Sequence, residues 1–363
     1  MSQKIMPQKT TKKIVIIGGV AGGATAAAKA RREDENAEIT VVEKGKYVSF
    51  ANCGLPYYIG REIKKREALL LQTPEGFWSR YRIRVLVESE VKEIRRSNKT
   101  LLVESKAEGE HSDVKQDIKH TNTKHSETKS TEIPYDKLII SQGASPIIPP
   151  TKGSHLPHVF SLRDMNDMDK IDQYIEAKKP KSAVVVGGGF IGLEMAEALV
   201  HRGIQVHLVE KAPQVMALMD FEFGRLIAEE LKLNKINLYL DNSIDEIKSD
   251  QVVLAVNPAQ GGVGAEMVIF SIGVKPELEL VKKCGLEMGS QGGLKVNTHL
   301  QTSDPDIYAV GDMVEVPHKV LNKWVRVPLA GPANRQGRIA ATNATQANTI
   351  SYSGTIGSSV VKV

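Results

Sequence analysis

The residue with the clearest chemical potential is Cys53, which lies in the run Ser-Phe-Ala-Asn-Cys-Gly-Leu-Pro-Tyr-Tyr at positions 49–58. The chain has two cysteines, and they do not form the CxxC pair of zinc sites and thioredoxin-like centres. A single thiolate can still attack a disulfide, release one thiol and keep the other half as a mixed disulfide. Cys53 is therefore the predicted redox centre, with Ser49 and Asn52 as its polar neighbours.

This chemistry requires a thiolate, so the prediction needs a lowered pKa at Cys53, which a helix N-terminus and an electron-poor cofactor ring could supply. The alternative is that Cys53 is an inert packing residue, as many free cysteines are. The second cysteine, Cys284, precedes Gly285 at the end of a helical pattern, which is typical of a helix C-terminus. We predict no catalytic role for Cys284.

Residues 187–192 form a glycine loop with the spacing Gly-x-Gly-x-x-Gly, between a β-branched run and a helical pattern. In such loops the glycines let the backbone approach a pyrophosphate, which the helix N-terminus binds through its free N–H groups. A carboxylate after the next strand accepts hydrogen bonds from ribose hydroxyls. The residues predicted to contact this dinucleotide are Gly187, Gly189, Phe190, Ile191, Gly192, Glu210 and Gly273.

A related loop occupies residues 18–23, where the sequence is Gly-Gly-Val-Ala-Gly-Gly. Val20 replaces the middle glycine of the motif, so this is a variant form. One glycine loop alone could be a structural turn, but two loops, each with a strand, a helix and an acid in place, favour dinucleotide binding. The predicted contacts are Gly18, Val20, Ala21, Gly22, Gly23, Glu43 and Lys44.

Two further features refine these predictions. Glu210 favours NADH over NADPH because a carboxylate repels a 2′-phosphate, although the neighbouring Lys211 weakens the preference and leaves NADPH as an alternative.

Gly311 and Asp312 end a strand pattern over 302–312. After two dinucleotide-binding units, this pair indicates a carboxylate and a helix start on the far side of a bound cofactor.

Hydrophobic patterning predicts two βαβ units separated by about one domain length. Between them, three segments alternate like strands of an antiparallel meander. Residues 105–131 are almost wholly polar, which predicts a disordered excursion with solvated His111, His120 and His125. The βαβ predictions are Lys13–Ile17, 22–32 and Glu38–Val42, then 183–186, 190–201 and Gln205–Val209; the meander predictions are 84–94, 100–104 and 137–140.

The predicted fold class is α/β, with two Rossmann-like, three-layer dinucleotide-binding domains and antiparallel meander insertions. A proline-rich stretch at 143–153 is the expected crossover between domains. After residue 273 the chain is expected to return to its first domain and to finish it with a helix over 331–347. The predicted domain boundaries are 1–149, 150–273, 274–350 and 351–363.

Composition excludes several functional classes. The chain has 363 residues, 41% of them hydrophobic, a net charge of +5 and a pI near 8.9. Its basic residues are scattered among nearly as many acids, so nucleic acid is not a predicted partner. No apolar run approaches the roughly 20 residues that span a bilayer, and the first 13 residues are polar. We predict a cytoplasmic protein with no membrane partner and no metal site.

The motifs together resemble those of the pyridine nucleotide-disulfide oxidoreductases, over nearly the whole chain. Residues 49–58, and the run Pro-Leu-Ala-Gly-Pro-Ala-Asn-Arg-Gln-Gly-Arg at 328–338, are similar to the single-cysteine branch, especially the coenzyme A disulfide reductases and their polysulfide-reducing relatives. The resemblance implies FAD on the first glycine loop, NAD(P)H on the second, and Asp312 against the flavin's ribityl-phosphate chain. It also implies a coenzyme A disulfide or polysulfide substrate, whose phosphates Arg31 or Arg32 would contact.

Two alternatives remain at this point. One is an NADH oxidase or peroxidase in which Cys53 cycles through sulfenic acid; the other is a flavin-binding protein without turnover. The resemblance also implies a C-terminal domain of about 100 residues that forms a homodimer. Residues 351–363 are expected to form the first strand of that domain, which would then be truncated at Val363, so dimerisation of this chain is in doubt.

Overall fold

The computed structural model describes residues 11–106, 128–255 and 262–360. The chain divides into two compact units. The first unit comprises Met1–Phe50, Gln72–Ala144 and Pro276–Ser358; the second comprises Ala51–Leu71, Ser145–Lys275 and Ser359–Val363. Residues 51–71, which the sequence analysis grouped with 1–149, thus belong with the second unit.

A parallel five-stranded sheet forms the centre of the first unit. Its central strand reads Lys-Ile-Val-Ile-Ile, and such continuous apolar runs are typical of parallel strands covered on both faces. Ile14 and Ile16 are accordingly fully buried. In spatial order the strands are β19 (Ile307–Ala309), β7 (Lys137–Ile140), β1 (Lys13–Ile17), β2 (Glu38–Val42) and β3 (Ile83–Leu86).

Small residues bring two helices of the first unit into close contact. α1 (Ala21–Glu33) is rich in alanine and glycine, and it packs against α8 (Ala330–Gln346). A Cβ added at Gly337 of α8 would lie 2.3 Å from the carbonyl oxygen of Gly22, so the two backbones nearly touch. The helices are α1 (Ala21–Glu33), α3 (Pro74–Tyr81), α7 (Glu279–Lys283) and α8 (Ala330–Gln346).

Two smaller three-stranded sheets complete the first unit. One is an antiparallel meander. In the other, the middle strand pairs in parallel with one neighbour and antiparallel with the other. The meander consists of β4 (Ser89–Arg95), β5 (Thr100–Lys106) and β6 (Thr128–Pro134); the other sheet consists of β18 (Leu294–Lys295), β20 (Val314–His318) and β21 (Lys323–Val325).

The second unit repeats the parallel five-stranded arrangement. In spatial order its strands are β12 (Asn237–Tyr239), β11 (Gln205–Val209), β10 (Ser182–Val186), β16 (Val268–Phe270) and β9 (Val159–Ser161). Its helices are α2 (Leu55–Ile59), α4 (Met165–Lys178), α5 (Phe190–His201) and α6 (Phe221–Leu233). An antiparallel sheet adds β13 (Ile244–Ile247), β14 (Gln251–Leu254) and β15 (Val263–Gly264), and β8 (Ala144–Pro146) pairs with β17 (Val274–Pro276) where the chain crosses between units.

The predicted α/β fold with two dinucleotide-binding-type sheets is confirmed, and both βαβ units lie within one residue of their predicted limits. The meander prediction was partly wrong. Lys137–Ile140 belongs to the parallel sheet, and the third meander strand is instead Thr128–Pro134. The predicted strand over 84–94 breaks into β3 and β4, because the chain turns at Glu88, where φ is +48°.

Two predictions about polar or terminal segments also need correction. Residues 105–106 and 128–131, expected to be disordered, form the end of β5 and the start of β6, because the two strands pair along seven residues. Residues 107–127 lie outside the described part of the chain. The strand expected from residue 351 onward is not formed within 351–360. That segment makes a single bridge, between Thr355 and His318.

Candidate cofactor loops and thiol site

The first glycine loop connects β1 to α1 through backbone that only glycine can adopt. Gly18 has φ +91°, and a Cβ there would lie 2.2 Å from the carbonyl oxygen of Ser141. A Cβ at Gly23 would lie 1.8 Å from the carbonyl oxygen of Gly18. Real Cβ contacts do not approach so closely, so the turn and the first turn of α1 both require glycine. Val20 is the N-cap residue, and Ala21 begins the helix.

The second loop, between β10 and α5, has the same geometry. Gly187 has φ +106°, and a Cβ there would lie 2.5 Å from the carbonyl oxygen of Ser271. A Cβ at Gly192 would lie 1.8 Å from the carbonyl oxygen of Gly187. Gly189 is the N-cap residue, and Phe190 begins the helix. The hydroxyl oxygen of Ser271 is buried beside this loop and has no hydrogen-bond partner within the described residues.

The predicted acids stabilise the loops in matching ways. Glu43 accepts hydrogen bonds from the N–H groups of Gly19 and Gly45, each at 2.7 Å. Glu210 accepts them from Gly188 at 2.6 Å and from Ala212 at 2.7 Å. Each glutamate directly follows the second strand of its βαβ unit, where a ribose hydroxyl is expected, and an ionised carboxylate has about four acceptor sites. Both loops therefore fit a dinucleotide: helix N–H groups for the pyrophosphate and a fixed carboxylate for a ribose.

The remaining predicted cofactor residues lie at strand ends. Gly311 follows β19 with φ +85°, and its N–H donates to Gln336 of α8 at 2.7 Å. Asp312 is the next residue and is half-buried. Gly273, with φ +112°, follows β16 in the second unit. Lys44 forms an exposed ion pair with Glu90 at 2.9 Å, which gives it a structural partner.

Cys53 is exposed, in a 3-10 turn (Asn52–Gly54) that continues directly into α2. Surrounding protein atoms raise the pKa of its thiol by desolvation, and the negative charge of Glu194 raises it further. The sequence analysis expected a lowered pKa at Cys53, but the protein groups around the thiol raise it instead. Asn52, a predicted neighbour, donates its side-chain amide to the carbonyl oxygen of Arg163 at 3.3 Å. Ser49, in the first unit, has φ +49°, and its N–H donates to the carbonyl oxygen of Gly19 at 2.8 Å.

Sequence reasoning missed the residue that acts electrostatically on Cys53. Glu194 lies on α5, is half-buried, and accepts a hydrogen bond from the Tyr57 hydroxyl at 3.3 Å. Desolvation raises the pKa of Glu194, and the neighbouring Glu197 adds to this effect. Tyr57, the hydrogen-bond partner of Glu194, is 137 positions away in the chain, so no local sequence pattern could have identified Glu194.

Segment 51–71 is anchored to the rest of the second unit by charged groups on α4 and by Arg202, the residue after α5. Arg61 contacts Asp172 at 2.9 Å and Glu176 at 2.7 Å. Arg66 makes a bidentate pair with Asp169, at 2.8 and 2.6 Å. Arg202 donates to the carbonyl oxygen of Ile59, at the end of α2, at 2.9 Å. These contacts fix the helix that follows Cys53.

The two arginines predicted to contact substrate phosphates differ. The Arg31 guanidinium donates to four backbone carbonyl oxygens of the first unit, those of Asp34, Glu35, Tyr81 and Arg82, at 2.6–3.3 Å. This gives Arg31 a structural role. Arg32 is exposed at the end of α1. Phosphate binding by either residue stays a prediction.

Comparison with known proteins decides the family. Residues 12–337 match the family described as pyridine nucleotide-disulphide oxidoreductase. The chain belongs to this family. It is 34% identical over 332 residues to a coenzyme A disulfide reductase of Staphylococcus haemolyticus, with 92% of this chain and 70% of that protein covered. Family membership implies FAD and NAD(P)H as cofactors.

Solved structures of family members agree with the fold. Reduced CoADR-RHD from Bacillus anthracis is 42% identical, with a TM-score of 0.88 over 97% of this chain and 60% of that one. An NAD-dependent persulfide reductase from A. fulgidus is 34% identical, with a TM-score of 0.86 over 97% of this chain and 62% of that one. The chain thus spans about 60% of the length of these two structures. Among the described residues, no helix is both long enough and apolar enough to cross a membrane.

Proposed function

We propose that this oxidoreductase reduces coenzyme A disulfide, or a polysulfide or persulfide, through a mixed disulfide on Cys53. The observation that carries the proposal is an exposed thiol at position 53 in a chain whose other cysteine is unsuited to the task. Cys284 is half-buried, and its thiol contacts the carbonyl oxygen of Val281 at 3.3 Å. The disulfide and persulfide reductases among its relatives support this substrate class.

The cofactors are assigned by loop. Residues 18–23 with Glu43 would hold FAD, together with Gly311 and Asp312, and residues 187–192 with Glu210 would hold NADH. The domain assignment follows: 1–149 and 274–350, apart from residues 51–71 of the second unit, would bind FAD, and 150–273 would bind NAD(P)H. Cys53 follows Ser49 by four residues, and Ser49 is hydrogen-bonded to the first loop. When bound, the flavin supplies the two electrons that the thiol chemistry consumes.

The sulfur chemistry balances with one thiol. The Cys53 thiolate attacks one sulfur of the substrate disulfide, the substrate S–S bond breaks, and the first thiolate leaves. The new Cys53–sulfur bond then takes up two electrons and one proton, which releases the second thiol and restores the Cys53 thiolate. Desolvation and then the charge of Glu194 raise the pKa of the Cys53 thiol, so both oppose thiolate formation, and binding of cofactor or substrate has to offset them.

Substrate assays under argon test this proposal. We expect NADH oxidation by the purified, FAD-loaded chain to depend on coenzyme A disulfide or polysulfide, with two thiols formed per coenzyme A disulfide. Mass spectrometry of the protein during turnover should find the thiol adduct on Cys53. Consumption of NADH that occurs only with oxygen or peroxide would favour the oxidase or peroxidase alternative. Flavin reduction by NADH with no acceptor turnover would favour a non-catalytic flavin protein.

Homodimerisation, which the resemblance implies, stays a prediction for this chain.

A further inference from the structure

A cluster of potential metal-ligating side chains, which the sequence analysis did not predict, lies on the second unit, away from the glycine loop. It consists of Glu62, which follows α2, and of Glu197 and His201, both on α5. One candidate ligand atom from each residue lies within 4.8 Å of the other two. The Nδ1 atom of His201 is 3.7 Å from Oε1 of Glu62. We propose that these three side chains bind a divalent zinc ion.

The backbone holds the three ligands in place before any metal binds. Glu197 and His201 are four residues apart on α5, so they project from the same face of the helix, with Cβ atoms about 5–6 Å apart. The third ligand comes from a segment fixed independently. The N–H of Glu62 donates to the carbonyl oxygen of Tyr57 at 2.9 Å, and the preceding residue, Arg61, is held by two carboxylates of α4. The cluster therefore joins two separately stabilised elements.

The donor set favours zinc over calcium and magnesium. One imidazole nitrogen and two carboxylate oxygens suit zinc, whereas calcium and magnesium prefer oxygen ligands alone. Two carboxylates balance the charge of a divalent ion. Zinc bonds of about 2.0–2.2 Å imply ligand atoms roughly 3.4 Å apart in a tetrahedron. The ligand atoms lie within 4.8 Å of one another, so the side chains need to close in by up to about 1.4 Å. Glu62 and His201 are exposed and can make that movement. Three protein ligands leave a fourth position for water or another small ligand.

Zinc binding here would have a mechanical consequence. Glu62 belongs to the same segment, 51–71, as Cys53, and the other two ligands belong to α5. A bound ion would therefore tie the segment that carries the thiol to the helix that begins at the second glycine loop. Zinc binding is independent of the proposed reaction, and it can be measured on the resting protein.

Isothermal titration of the intact chain with zinc chloride tests the site. We expect one zinc ion bound at this cluster, and at least a tenfold loss of affinity in His201→Ala and in Glu62→Gln, which keeps the shape of the side chain. His155→Ala, at an exposed histidine of the same unit, is the matched control and should bind as the native chain does. Unchanged affinity in both cluster variants would overturn the proposal, as would an equal loss in the control.

Cobalt provides a second readout that separates this site from the thiols and from the histidines at 111, 120 and 125. Cobalt at the proposed site has nitrogen and oxygen ligands, so its spectrum should lack the intense band of cobalt–thiolate bonds and should disappear in His201→Ala. A thiolate band that disappears in Cys53→Ser would show instead that Cys53 is the metal ligand, and would contradict the proposal. Retention of the full cobalt spectrum in His201→Ala would contradict it as well. Circular dichroism of each variant confirms that it is folded.

Discussion

The two glycine loops share one backbone design but differ in what surrounds them. In both, a positive-φ glycine starts the turn, a later glycine lies against its carbonyl oxygen, and a glutamate accepts two backbone hydrogen bonds. In the first unit, a Cβ at Gly22 would lie 2.8 Å from the Ser141 hydroxyl and 3.0 Å from Val310. The corresponding residue of the second unit is Ile191, whose side chain is 37% exposed.

The difference arises from a later part of the chain. In the first unit, α8 returns and packs onto the loop, where Gly337 lies against Gly22. At Gly189 of the second loop, an added Cβ would meet nothing within 4 Å. An enclosed loop suits a cofactor that stays bound through many turnovers, and an open loop suits a dinucleotide that exchanges in each one. This contrast supports the assignment of FAD to the first loop and NADH to the second.

The largest expected effect is that of Gly23→Ala. The added methyl group would lie 1.8 Å from the carbonyl oxygen of Gly18, so the loop has to distort. We expect loss of bound flavin and a decrease of about 3 kcal/mol in the free energy of unfolding, measured by flavin absorbance and urea denaturation. The same change in the second loop, Gly192→Ala, should abolish NADH binding but retain flavin. Gly331→Ala, where a Cβ has open space, is the control. Loss of flavin in Gly192→Ala with retention in Gly23→Ala would reverse the assignment.

Glu210→Gln should have the next largest effect. The neutral amide weakens two charge-assisted hydrogen bonds and removes the charge that repels a 2′-phosphate. We expect NADH binding to weaken by about 1–2 kcal/mol, and the NADPH-to-NADH affinity ratio to rise. Fluorescence titration with each nucleotide measures both changes. Glu43→Gln should weaken flavin retention without altering the NADPH-to-NADH affinity ratio. A changed ratio in Glu43→Gln would contradict the assignment of the two loops to different cofactors.

Gly189→Val gives the second loop the side chain that the first loop has at Val20. Because the space around Gly189 is open, we expect no change in the free energy of unfolding beyond about 0.5 kcal/mol. Val20 is compatible with the FAD proposed for the first loop, but at the second loop the added side chain would fill part of the open space at Gly189, so NADH affinity should fall about tenfold, or 1.4 kcal/mol. Unfolding and nucleotide titrations on one preparation separate these effects. Unchanged NADH affinity would show that the open space is not the nucleotide path.

The smallest expected effect is that of Glu194→Gln, which extends the comparison to the helices that follow the two loops. Glu194 of α5 corresponds to Thr25 of α1, which hydrogen-bonds Asn334 of α8 at 2.9 Å. Because the charge of Glu194 raises the Cys53 pKa, Glu194→Gln should lower that pKa. The pH profile of Cys53 alkylation should then move to lower pH, and alkylation at neutral pH should be a few-fold faster. Glu229→Gln, on exposed α6, is the control; an equal shift there would contradict a specific role for Glu194.

The sequence was sufficient for the two βαβ units, because apolar runs, glycines and acids recur there at short, regular spacing. It was insufficient where long-range pairing decides the structure. Lys137–Ile140 is too short for periodicity to distinguish a buried parallel strand from a meander strand. The Tyr57–Glu194 hydrogen bond joins residues 137 positions apart. No local pattern could therefore predict that a carboxylate acts on Cys53.

Anaerobic NADH titration of Cys53→Ser beside Cys284→Ser tests the central claim most directly. We predict that NADH reduces the bound flavin in both variants, and that only Cys284→Ser goes on to convert coenzyme A disulfide or polysulfide to thiols at the native rate. Thiol formation by Cys53→Ser at the native rate would contradict the assignment of Cys53 as the redox centre.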